Sequence, residues 1–195
     1  MTAITPLEFV HKKGIFGDHQ KKNESDLLRI SEVKNLSIIQ IVQYKGSKIN
    51  INDIKIEGLG IPTENSKVNS NKETRILWNA PRTWLILSRK ENPIEAIEKN
   101  FKVTDFSVTD ISHSRAVIQI QGQLSKEILK KGSPINFNEF GVNQCAGTVF
   151  HGITIIIDSI SSEPDTFNLL VLRSFGESFY HHITDSALEF GYVGI

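Results

Sequence analysis

The chain has little of what most often gives a sequence away. It has one cysteine, Cys145, in 195 residues. That excludes an internal disulfide and a cysteine-cluster metal site. One thiol and no export signal fit a reducing, cytoplasmic setting. There is no net charge, because 22 Lys and Arg balance 22 Asp and Glu. A protein bound for a nucleic-acid duplex would carry a basic excess. No apolar run approaches the ~18 residues that cross a bilayer, so neither nucleic acid nor membrane is expected as a partner. The N-terminus, Met1 to Phe9, lacks the basic start and apolar stretch of a signal peptide. What remains is ordinary globular material, 39% hydrophobic and 23% charged. A neutral surface gives little protection against association, which suits a chain buried in a complex.

Residues 1–30 are polar, with His11-Lys12-Lys13-Gly14 and Lys21-Lys22-Asn23-Glu24. They are expected to form a peripheral arm that docks on a partner. Residues 31–195 are expected to form a single α+β domain. Leu36 to Tyr44 is β-branched and reads as a strand. Gly46 to Ile56 suggests another short one, and Thr63 to Thr74 a polar loop. Ile76 to Ser88 reads as two strands about a turn at Asn79 to Arg82. Asn92-Pro93-Ile94-Glu95 is a helix start, with Asn92 as N-cap and Pro93 in the first turn. Ile94, Ile97 and Phe101 share a helical face.

From Val108 the pattern returns to strand. Ala116, Ile118 and Ile120 alternate with Val117, Gln119 and Gln121, and Gly122 breaks the run. Leu124, Ile128 and Leu129 form the apolar face of a short helix that stops at Gly132. Thr148 to Ile160 and Phe167 to Leu172 are further strands, with a turn at Ser161 to Asp165 between them. A last helix carries a Ser174/Glu177 capping box. Its stripe is Phe179, Ile183, Ala187 and Phe190. The mixture of hairpins and crossovers predicts an α+β fold, a largely antiparallel sheet with packed helices. The C-terminal half has the strand order of a ferredoxin-like half-motif, and the first half is a looser version of it.

Candidate chemistry is thin. Thr109 to Arg115 holds Asp110, Ser112, His113 and Ser114, the residue types of a nucleophilic triad. Residues so close in sequence rarely converge that way, and an Asp–Ser loop bonding its own backbone is the simpler expectation. His181 and His182 point about 100° apart on a helix, so they cannot share one metal from one face. His151 reads as a turn residue. Gly58-x-Gly60 lacks the third glycine and the strand-to-helix setting of a dinucleotide loop. Cys145 has no basic neighbour to activate it and is expected to be buried. Trp78 and Trp84 are expected in a core or interface. No catalytic, cofactor-binding or metal-ligating residue is therefore assigned. Arg115, Arg173, Ser174 and Phe175 are the candidate interface residues. Arg173 follows an apolar strand and offers five donors for a planar carboxylate, or an internal tie for the last helix.

Five segments then line up, in order, with one family. Leu77-Trp78-Asn79-Ala80-Pro81-Arg82-Thr83-Trp84-Leu85 is similar to a Leu-Trp-Leu-Gly-Pro-Asp-Glu-Trp-Leu signature. Asp110 to Gly122 and Leu124 to Asn136 resemble a strand–Gly–helix unit closing in Lys-Gly-Cys-Pro-Leu-Asp. Cys145 to Ile156 and Phe167 to Gly191 complete the set, and Arg173-Ser174-Phe175 is its most specific part. Over roughly residues 59–191 the chain resembles the gamma subunit of heterotetrameric sarcosine oxidase. Ser133 stands where that family has Cys, which removes a thiol from that position. Asn79-Ala80-Pro81-Arg82 replaces the usual turn.

The resemblance implies a fold similar to the folate-binding domain of glycine-cleavage T-protein. It implies alpha, beta and delta subunits as partners. It also implies oxidation of sarcosine to glycine with hydrogen peroxide, and formaldehyde or 5,10-methylenetetrahydrofolate as the one-carbon product. FAD, FMN, NAD, tetrahydrofolate and zinc would belong to those partners, none to this chain. The alternative is an independent folate-binding module or aminomethyltransferase-like enzyme. A folate-fold iron–sulfur assembly factor would need a cysteine that Lys131-Gly132-Ser133-Pro134 lacks.

Overall fold

The computed structural model describes residues 4–195. The first three residues of the expected arm lie outside the described residues. The elements, in chain order, begin with β1 (Gly14–Phe16), β2 (Leu28–Glu32), β3 (Ser37–Gln43), β4 (Lys55–Ile56), β5 (Leu59–Gly60) and β6 (Val68–Ser70). Then come β7 (Thr74–Ala80), β8 (Thr83–Ser88), α1 (Ile94–Glu98), β9 (Phe106–Asp110), β10 (Arg115–Gln121) and α2 (Ser125–Gly132). The chain closes with β11 (Cys145–Phe150), β12 (Ile153–Ser162), β13 (Asp165–Leu172), α3 (Gly176–Ala187) and β14 (Tyr192–Gly194). The α+β expectation holds: of the strand pairs described, only β14 with β2 is parallel.

The elements divide into two compact units. One takes the chain through Lys34, Ser114–Val142 and Gly147–Ile195; the other takes Asn35–His113 and Asn143–Ala146.

The first unit carries a seven-stranded sheet ordered β1-β14-β2-β10-β13-β12-β11. Its centre is the pairing of β10 with β13, Arg115 opposite Leu172 through Gln121 opposite Thr166. Alternation decides what each face carries. Ala116, Ile118 and Ile120 lie opposite Val171, Leu169 and Phe167, and all six are buried. Helix α3 lies against β10 and β13, and α2 against β13 and α3. The α3 stripe is buried at Phe179, Ile183 and Ala187, whereas Phe190 is half-exposed beyond the helix end.

Chain segments far apart in sequence meet where the Gly17–Asp18 turn follows β1. The Asp18 amide donates to the Leu188 carbonyl at 2.7 Å. Gly191 has φ 71, and a Cβ there would sit 2.6 Å from the Asp18 carbonyl oxygen. The left-handed backbone favours glycine, and the space forbids anything larger. Gly191→Ala should therefore lose about 1–3 kcal/mol to overpacking alone, with backbone strain added. Thermal unfolding checks this: the Tm should fall by several degrees, about 2–4 °C per kcal/mol at this chain length.

The second unit carries a five-stranded sheet ordered β6-β7-β8-β3-β9 and the β4-β5 ribbon. Ile39, Ile41, Ile76, Trp84 and Ile86 from its strands pack with Ile97 and Phe101 of the α1 region and with Phe106. The expected β7–β8 turn is present, with Arg82 left-handed at φ 61.

Five local expectations are corrected. The Thr63–Thr74 loop contains β6, because Val68 is buried and Val68 to Ser70 pair with Leu77 to Arg75. In Gly46–Ile56 only Lys55–Ile56 is strand. Asn50 instead accepts from the Asn52 amide at 3.2 Å and starts a short 3-10 turn. Asn92 does not cap α1. Its φ of 46 takes it out of the extended conformation a cap needs, and Pro93 holds the cap position. Ser174 does not cap α3 either. It lies in a 3-10 turn, Arg173–Phe175, and the cap position falls on Phe175. Thr148–Ile160 is not one strand. His151 (φ 45) and Gly152 (φ 83) turn it into the β11–β12 hairpin, so the expectation that His151 is a turn residue holds.

Candidate functional site

The densest polar cluster resolves into a capped loop. The Asp110 carboxylate accepts from the Ser112 amide at 2.8 Å and from the Ser112 hydroxyl at 2.5 Å. The Ser112 oxygen in turn accepts from the Ile38 amide at 2.8 Å. The Ser112 hydroxyl holds Asp110 below its ordinary carboxylate pKa, against the opposing effect of burial. The serine proton goes straight to the aspartate, and no imidazole stands between them. This is local backbone satisfaction.

The other motif residues are placed in similar terms. Cys145 is buried, its Sγ 3.1 Å from the Trp78 carbonyl. Trp84 is buried and Trp78 half-buried. His181 and His182 are exposed on α3. His182 faces the His151 ring at 5.3 Å, and His181 lies 3.9 Å from Glu177. Among the described residues no group of three His, Cys, Asp or Glu is arranged to hold a metal ion. Among them, too, no helix is long and apolar enough to cross a membrane.

The four candidate interface residues fall at one end of the β10–β13 pair. Arg115 begins β10 and lies directly opposite Leu172, the last residue of β13. Arg173 follows at once, and its Nη2 donates to the Ile4 carbonyl at 2.7 Å. That bond ties residue 4 to the sheet end; it is not a salt bridge. Ser174 makes no capping bond to α3, and Phe175 is 48% exposed.

Arg115 is different in kind. It is half-buried, and its Nε is buried with no hydrogen-bond partner. Among the described residues no carboxylate pairs with it. Burial alone pushes its guanidinium below the ordinary arginine value. An unpaired buried donor costs about 1–3 kcal/mol. A half-open cavity of about 150 Å³ adjoins it, lined by Arg115, Thr154, Ile155, Ile156, Leu170 and Leu172. Register explains the grouping. Ile156 lies opposite Leu170 and Val117 opposite Leu170, so β12, β13 and β10 present one row, with Arg115 and Leu172 two residues along on the same face. The sequence singled out Arg115 and missed Thr154, Ile156 and Leu170. These come from strands distant along the chain, and only the pairing order brings them together.

A family model described as sarcosine oxidase, gamma subunit family, matches residues 51–189. The chain belongs to the sarcosine oxidase gamma subunit family. A curated relative, the sarcosine oxidase subunit gamma of Corynebacterium sp. (strain U-96), is 28% identical over 138 residues, 68% of this chain and 66% of that relative. The match thus spans just under two thirds of the relative's length. Among solved structures, a chain of the heterotetrameric sarcosine oxidase from Corynebacterium sp. U-96, in complex with pyrrole 2-carboxylate, is similar over 97% of both chains. Its TM-score is 0.79, at 19% identity. The glycine cleavage system aminomethyltransferase T from Bartonella henselae is similar over 91% of this chain and 56% of that one. Its TM-score is 0.64, at 12% identity. The fold is the one expected from the resemblance.

In this member of the gamma subunit family the Lys131-Gly132-Ser133 segment is a packing point at the end of α2. Lys131 donates to the Ser186 carbonyl at 2.5 Å and pairs with Glu189 at 2.6 Å, fastening the end of α2 to the end of α3. A Cβ on Gly132 would lie 2.9 Å from the Phe150 ring. The Ser133 hydroxyl lies 3.2 Å from the Thr148 hydroxyl.

Proposed function

We propose that this chain is a non-catalytic, structural subunit of a heterotetrameric sarcosine oxidase, one that demethylates sarcosine to glycine. Hydrogen peroxide would form from oxygen, and the one-carbon unit would leave as formaldehyde or 5,10-methylenetetrahydrofolate. The partners are alpha, beta and delta subunits. They carry the FAD, FMN, NAD, tetrahydrofolate and zinc, and the setting is cytoplasmic. The family membership over residues 51–189 carries this reading. The polar cluster supports it, because Asp110 and Ser112 satisfy one another and the loop backbone. Arg115, Arg173, Ser174 and Phe175 contribute to the surface that meets a partner.

The second reading is an independent folate-binding or aminomethyl-transferring module, favoured by the likeness to aminomethyltransferase T. One polar cavity of the first unit, about 350 Å³, is lined by Ser25, Asp26, Leu27, Arg29, Gln121, Gly122, Gln123 and Pro164. That lining offers no aromatic plane on which a pterin could stack. Co-expression with the three partner chains and titration of the isolated chain with tetrahydrofolate separate the readings. A stable co-purifying complex and no saturable folate binding is the expected result. A well-folded chain that stays outside the complex and binds folate tightly supports the second reading instead.

A further inference from the structure

We infer that Arg115 is a socket for a single Asp or Glu carboxylate presented by a partner subunit. The inference rests on the subunit reading above and adds the chemistry of one contact to it. Three observations carry it. The first is the unpaired donor. Arg115 Nε is buried without a hydrogen-bond partner, and no acidic side chain pairs with the guanidinium among the described residues. Elsewhere in this unit Lys126 of α2 finds Asp165 at 2.9 Å and Lys131 finds Glu189. The second is the surroundings. The adjoining cavity is half-open and, apart from Arg115 and Thr154, is lined by aliphatic side chains. A guanidinium whose hydration is already partly stripped binds a carboxylate more strongly than one in open water, and its planar fork can take both oxygens. The third is the rim. Leu172, directly opposite Arg115, is 43% exposed. An aliphatic side chain beside the incoming acid would cover it, as the apolar neighbours of a central charge do in many interfaces.

The cavity, at about 150 Å³, fits one carboxyl-bearing side chain and leaves no room for a helix. The partner's chemistry is therefore an acid flanked by an apolar residue on a loop or strand. The net charge of this chain is zero, so the attraction is local to Arg115 and not a general field.

The test uses the full chain assembled with its partner subunits, comparing wild type with Arg115→Met, Arg115→Lys and Arg115→Glu. Arg115→Met should weaken assembly about tenfold or more, by loss of a desolvated ion pair. Arg115→Lys should fall between, and Arg115→Glu should abolish assembly. The isolated Arg115→Met chain should melt no lower than wild type, because the substitution removes an unpaired buried donor and breaks no bond. Restoration of Arg115→Glu assembly by an acid-to-lysine change on a partner would identify the occupant. If wild type assembles and Arg115→Met assembles equally well, the socket is wrong and the subunit reading stands. If wild type itself does not assemble, both fall. An isolated Arg115→Met chain that melts well below wild type overturns the socket, since Arg115 then serves the fold itself. Saturable binding of acetate to the isolated wild-type chain at low millimolar concentration overturns it too, in favour of a free carboxylate ligand.

Discussion

Phe179→Ala is expected to lower the unfolding free energy by about 3–5 kcal/mol, the range for truncating a buried aromatic. Phe179 is fully buried on the inner face of α3 and meets the Phe150 ring edge-to-face, centroids 5.8 Å apart. Phe150 also sits over Gly132 at the end of α2. One side chain therefore joins α3 to the β11 end and to the α2 terminus. Truncation leaves a cavity that these rigid neighbours cannot close. A domain holds only about 5–15 kcal/mol in total, so the loss is a large share. Denaturant unfolding with an unchanged m-value is the check. Phe179→Leu should lose clearly less. A loss below about 1 kcal/mol for the alanine variant would contradict the packing described.

Trp84→Ala is expected to do comparable damage to the other unit, again about 3–5 kcal/mol. Trp84 lies opposite Ile41 in the β3–β8 register and is buried in the isoleucine-rich core. Its indole Nε1 donates to the Pro62 carbonyl at 2.7 Å, which fixes the segment after β5. Two contributions can be separated. Trp84→Phe keeps most of the apolar burial and removes the donor, leaving a buried carbonyl short of its partner at about 1–3 kcal/mol. The alanine variant loses both. If Trp84→Phe is as damaging as Trp84→Ala, the bond to Pro62 dominates, contrary to this account. Unfolding followed by tryptophan fluorescence and by circular dichroism measures the series.

These two residues also mark what was legible in the sequence. The run Phe167 to Leu172 reads as a buried strand because β13 is paired on both sides and most of its residues are buried. The α3 stripe was legible for the same reason: burial on one helix face imposes a 3.6 period. Caps were not legible. Ser174 and Asn92 are the right residue types, but both helices start one residue later than the spacing suggests, behind a 3-10 turn in one case and a left-handed residue in the other. β6 escaped because Val68-Asn69-Ser70 is polar but for one residue, and its pairing with β7 makes it a strand.

The candidate site divides in the same way. Arg115 stood out as a charge at the start of an alternating apolar strand, and Arg173 as a charge at the end of one. Their fates differ for a reason no local pattern carries. Arg173 reaches the Ile4 carbonyl, 169 residues away in the chain. Arg115 Nε finds no hydrogen-bond partner among the described residues, beside a cavity whose other walls come from β12 and β13. The motif around Lys131 to Ser133 was legible as a family mark. Its physical basis, a lysine fastening two helix ends and a glycine under a phenyl ring, needed the packing of α2 against α3.

The central claim is that this chain supports an oxidase without performing its chemistry. Peroxide formation from sarcosine tests it most directly, measured for the isolated chain, for the partner subunits co-expressed without it, and for all four chains together, with the composition of each complex determined by mass. The account predicts no peroxide from the isolated chain. It predicts a stoichiometric four-chain complex that oxidises sarcosine and is more stable than the partners alone. Peroxide from the isolated chain, or a full-strength oxidase from which this chain is missing although it was present and folded, would contradict it.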